Sequence, residues 1–162
     1  MAQFTLLPTA ESTELADDIR ALFEELSRSL EHGQRAYSGE CHPSLDVLET
    51  DSAVEVIVDI SGVPAHALRI LFRSGVLIIA GEKAPAPAGD EQTFHLVERE
   101  FGRFARAVRL NGAFDIQQSR ATLRHGELTI VLPKLEDRRG SPHRIAIAPS
   151  PSSPPGTVAP EK

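Results

Sequence analysis

The chain has 162 residues, enough for one compact domain with segments left over, and its 41% hydrophobic content can supply a core. A formal net charge of -6 without a basic stripe argues against a nucleic-acid partner. No apolar run approaches a membrane span of roughly 20 residues, so no membrane partner is expected, and Met1 to Pro8 lacks the marks of a secretory signal. Cys41 is the single cysteine, which removes any intrachain disulfide framework and makes a reducing, cytoplasmic setting the simpler expectation.

Residues 11–32 read as an amphipathic helix. Leu15, Ile19, Leu22, Phe23, Leu26 and Leu30 recur at steps of three and four, with acids and arginines elsewhere. Ser12 or Thr13 can cap it, Glu14 suits its positive end, and His32-Gly33 fits its close. Such a helix either packs on its own domain or serves as a sticky arm for partner chains and unfolding proteins. Its place ahead of a separate β region favours the second. Gln34 to His42 reads as a linker.

From Pro43 the period changes to two. Leu45 and Val47 alternate with Asp46 and Leu48; Asp51-Ser52 marks a turn; Val54, Val56, Val58 and Ile60 share one face. Leu68, Ile70 and Phe72 alternate with Arg69, Leu71 and Arg73, Ser74-Gly75 bends the chain, and Val76 to Ala80 returns as a nearly continuous apolar strand. Ala84 to Asp90 is a loop, and Gln92 to Val97 is expected as a short strand. Arg103 to Leu110 follows as another, with Phe104, Val108 and Leu110 on one side. Ser119, Ala121 and Leu123 then share a face, His125-Gly126 supplies a tight turn, and Leu128, Ile130 and Leu132 form the returning strand, which Pro133 ends. Beyond Lys134 lie a charged linker and a Pro/Ser-rich tail, interrupted by the apolar triplet Ile145-Ala146-Ile147. About eight short strands joined by hairpin bends, without helix–strand alternation, imply an all-β sandwich.

The motifs carry a family resemblance. Ala121, Gly126 and Leu128 followed by Pro133-Lys134 resemble the A-x-x-x-x-G-x-L…P-K signature of the α-crystallin domain, the core of the small heat-shock proteins. Asp59-Ile60-Ser61-Gly62-Val63 is similar to that family's D-L-P-G-V, with serine in place of proline. Gly75 to Lys83 resembles N-x-L-x-I-x-G-E-R/K, and Glu98 to Arg106 resembles E-R-x-F-G-x-F-x-R. The four motifs stand in family order across residues 43–147.

The resemblance implies an immunoglobulin-like β-sandwich at 43–135, a partly helical arm at 1–42 and a flexible extension at 136–162. It also implies an ATP-independent holdase that binds partly unfolded proteins and works as dimers joined into larger homo-oligomers, without a cofactor. In such a protein Ile145 and Ile147 would be the oligomer anchor. They would dock in a groove formed by Leu68, Ile70, Phe72, Ala121 and Leu123. Phe94, Leu96 and Arg106 would lie at the dimer interface, and Leu15, Ile19, Leu22, Phe23 and Leu26 would meet clients. A CS-domain-like co-chaperone adaptor is the alternative with the same sandwich, but it has no use for the apolar triplet or a long exchanged loop. Chemistry is not expected. The histidines His32, His42, His66, His95, His125 and His143 lack metal-ligand spacing, Cys41-His42 stands alone, and Glu98 and Glu100 show no sign of a paired acid and base. Neither Ser61-Gly62 nor Gly81-Glu82 is a phosphate-binding loop.

Overall fold

The structure is a computed structural model that describes residues 5–6, 13–29, 39–85 and 93–135. Its elements in chain order are β1 (Thr5–Leu6), α1 (Thr13–Ser29), β2 (Leu45–Glu49), β3 (Ala53–Asp59), β4 (Leu68–Arg73), β5 (Val76–Lys83), β6 (Gly102–Arg109), β7 (Arg120–Arg124) and β8 (Glu127–Pro133), with single 3-10 turns at Ala65–Ala67 and Ile116–Gln118. One sheet has the order β1-β6-β5-β4 and the other β2-β3-β8-β7, each antiparallel throughout. The expected all-β sandwich is what the chain forms.

Period-two patterning decides which faces meet. Val54, Val56 and Val58 of β3 and Leu128, Ile130 and Leu132 of β8 pack against Leu77 and Ile79 of β5 and Phe104 and Val108 of β6 in one core. The β4–β5 and β7–β8 bends each have positive φ at two successive residues, Ser74 and Gly75 (51° and 77°) and His125 and Gly126 (52° and 83°). That is the geometry whose twist matches the flanking strands. Gly126 has a second duty. A Cβ there would stand 2.8 Å from Ser61 Cα, and its carbonyl accepts from the Ile60 N–H at 2.7 Å. The turn glycine therefore lets the Asp59–Val63 segment lie against the hairpin, which ties two of the four motifs to one contact. The Pro-Lys end of the hairpin is also placed: Lys134 Nζ meets Glu49 Oε1 at 2.5 Å and donates to the Thr50 carbonyl at 2.7 Å, fastening β8 to the β2–β3 turn.

One expected strand is not formed. Residues 93–97 have no ladder partner, and Phe94, Leu96 and Val97 are 66%, 75% and 60% exposed. A strand gains its stability from the ladder and the face it covers, and in the single chain this segment reaches no sheet edge. The edge strands β1, β4, β2 and β7 pair on one side only.

Candidate functional site: exposed edges and a covered sheet face

The β4 and β7 edges carry the expected groove residues. Leu68 is buried, Phe72 and Leu123 are partly buried against the inter-sheet core, and Phe72 meets Phe114 edge to face at 5.8 Å. Ile70 is 37% exposed and Ala121 is exposed. Five residues named from parity thus divide into three that finish the core and two left open. The anchor itself, Ile145 and Ile147, lies outside the described residues.

Arg106 occupies the inner face of β6 between Phe104 and Val108, opposite Ile79. Partial burial pushes its pKa down, and among the described residues it makes none of the ion pairs. A desolvated cation costs free energy unless a partner group offsets it. Near the start of the same strand, Gly102 (φ 130°) crosses Gly39 so closely that a Cβ on Gly102 would fall on the Gly39 carbonyl oxygen. The crossing is held by Arg103 N–H to the Gly39 carbonyl and Cys41 N–H to the Arg103 carbonyl, both 3.2 Å. It encloses Cys41, whose thiol is pushed above its ordinary value by burial, with Glu100 adding to the rise and Lys83 opposing it.

The arm departs from expectation. Leu15, Ile19, Leu22 and Leu26 are not open to partners but buried, at 1–8% exposure, against Ile78, Ala80 and Ala107, with Phe23 partly buried beside them. The helix packs on its own domain, over the outer face of the β4–β6 sheet. The reason is complementarity. Period two puts Ile78 and Ala80 of β5 and Ala105 and Ala107 of β6 on the face away from the sandwich core. That apolar face needs a cover, and the stripe of α1 is the right shape for it.

Residues not singled out from sequence fix the helix there. Arg69 donates to Glu25 at 2.7 Å and to Ser29 Oγ at 2.8 Å, and Arg73 to Asp18 at 2.7 Å. Arg103 pairs with the buried Glu82 at 3.2 Å, donates to Ser27 Oγ at 2.9 Å and sits 5.5 Å from the Phe23 ring centroid. The signal was present: Arg69 and Arg73 alternate with Leu71 on the β4 face opposite the groove, and Asp18 and Glu25 are seven apart, two helical turns on one side.

Residues 46–148 match the Hsp20/alpha crystallin family. The chain belongs to that family. It is 34% identical over 103 residues to Heat shock protein 16 of Schizosaccharomyces pombe, covering 60% of this chain and 70% of that protein. It is 27% identical over 127 residues to the 16.9 kDa class I heat shock protein 1 of Triticum aestivum, covering 78% and 84%. Among solved structures it is similar to heat shock protein 16.0 from Schizosaccharomyces pombe (TM-score 0.58, 32% identical, 67% of this chain and 99% of that one). It is also similar to a small heat-shock protein from Xylella fastidiosa, whose structure is described as having a distinct high order (TM-score 0.57, 26% identical, 67% and 98%). Small heat-shock proteins are ATP-independent chaperones that form oligomers, and they are not enzymes.

Proposed function

We propose that this chain holds partly unfolded client proteins, without ATP and in the cytoplasm, and that it works as homodimers joined into larger oligomers with no cofactor, nucleic acid or membrane involved. The observation that carries the reading is the set of large apolar side chains on backbone outside either sheet, Phe94, Leu96 and Val97, in a sandwich with four one-sided strands among the described residues. Pairing that segment with a sister chain's sheet edge would cover both, and such pairing supplies main-chain hydrogen bonds as well as apolar contact. Arg106 fits the same reading: a sister chain's carboxylate or carbonyl would offset its desolvation.

Ile145 and Ile147, two apart in an extended segment, project to one side. Ile70 and Ala121 offer them open apolar surface, and Leu68, Phe72 and Leu123 a packed floor. In this reading residues 43–135 form the sandwich, 1–42 the arm, whose Thr5–Leu6 adds an edge strand to it, and 136–162 the extension that carries the anchor.

The test is light scattering from a heat-labile enzyme warmed with the purified chain, with and without ATP, together with the mass of the chain in solution. Suppression that is indifferent to ATP, by a particle of many chains, is the expected result. A monomer that leaves the client to aggregate at equal stoichiometry would overturn the reading.

A further inference from the structure

The face beneath α1 packs apart from the core between the sheets. The sandwich core and the α1 cluster share no buried residue, so lifting the helix would leave the packing between the sheets whole. The floor is apolar, formed by Ile78, Ala80 and Ala107 with Leu71, Val76 and Ala105 partly buried beside them, and charge flanks it. Arg69 and Arg73 on the β4 side engage Glu25 and Asp18 of α1, and Arg103 on β6 binds Ser27. A helix of 17 residues is marginal by itself, so α1 persists only while docked.

We propose that this outer face of the β4–β6 sheet is a docking surface for amphipathic helices with acidic flanks exposed by partly unfolded clients, with α1 as its resident ligand. The proposal rests on the holdase reading and gives it a substrate class. The occupant follows from charge complementarity: an apolar stripe at i, i+4, i+7 and i+11, as in Leu15, Ile19, Leu22 and Leu26, with carboxylates on the side that meets Arg69 and Arg73. Tethering gives α1 a high local concentration, so a client helix competes only as α1 lets go.

The test uses the full chain and a fluorescent 17-residue peptide of unrelated sequence with that leucine stripe and glutamates at its flanks, plus a twin carrying lysines instead. Leu22→Asp with Leu26→Asp should undock α1, and the acidic peptide should then bind about tenfold tighter than to the unaltered chain, with the lysine twin about tenfold weaker than the acidic one. Arg69→Glu with Arg73→Glu should reverse the preference, a gain that misfolding would not produce. Equal binding to the undocked and unaltered chains, or equal binding of the two peptides, would overturn the proposal. Binding confined to a peptide of the Thr13–Ser29 sequence would also overturn it, by making a sister chain's α1 the occupant. Scattering is followed in parallel. Client suppression by a chain that binds neither peptide refutes the surface and spares the holdase reading. Peptide binding without suppression by any variant refutes the holdase reading and leaves a helix-docking face.

Discussion

At the residue scale, Arg103 is the side chain on which most depends. It offsets the charge of Glu82, whose side chain is 7% exposed, while reaching Ser27 and Phe23 of the helix. Removing the cation from a buried pair costs more than the pair itself contributes, because the carboxylate stays behind without compensation. Arg103 is itself 37% exposed, and water then screens part of the loss. Arg103→Ala is expected to lower unfolding stability by about 1–3 kcal/mol in urea titration. Arg103→Lys should recover only part of it, since one ammonium cannot hold Glu82, meet Ser27 and stack on Phe23 with a planar fork. A neighbouring glycine explains why the motif around this residue is so narrow: Gly102 must be glycine to pass Gly39, and the arginine that follows is aimed by that crossing.

At the element scale, the edges and α1 divide the labour. The strands β3, β5, β6 and β8 lie inside their sheets, and their alternating apolar residues fill one core. The helix completes a second, smaller cluster on the outside. Because the clusters are separate, α1 should open on its own. Leu26, 1% exposed, is its deepest side chain. A buried Leu→Ala change costs about 2–5 kcal/mol, comparable with what docks a single helix. Leu26→Ala is therefore expected to raise amide exchange in Thr13–Ser29 by at least about tenfold while β3 and β8 keep their protection. Equal loss of protection in helix and sheets would show one cooperative unit instead.

At the scale of the whole molecule, assembly turns on weak contacts used many times. Burying Ile145 and Ile147 is worth roughly 1.5–3 kcal/mol each before costs. Association gives back several kcal/mol in lost freedom, so one anchor binds weakly and many bind by avidity. Replacing both isoleucines with glycine should shrink the particle toward dimers in light scattering, with the sandwich still folded by circular dichroism. An unchanged mass would count against anchoring.

Most of the sandwich was legible in the chain because strand faces are a local property. Val54-Val56-Val58 and Leu128-Ile130-Leu132 announce a buried side by alternation alone, and His125-Gly126 and Ser74-Gly75 announce the bends by needing positive φ. The four motifs were legible for the same reason, each being a short stretch with fixed offsets. Tertiary structure alone decided where the exposed-looking stripe of α1 would go. Amphipathicity says that a helix has a face to bury, and nothing in the period names the surface that receives it. Likewise the pattern in Gln92 to Val97 marks a segment able to pair, but a ladder needs a second edge, and in one chain none is within reach. Pairing between Arg69, Arg73 or Arg103 and the acids and serines of α1 joins residues 40 to 76 positions apart. Periodicity is read over a few neighbours, whereas those contacts exist only once the β4–β6 sheet has formed and the helix has come down on it.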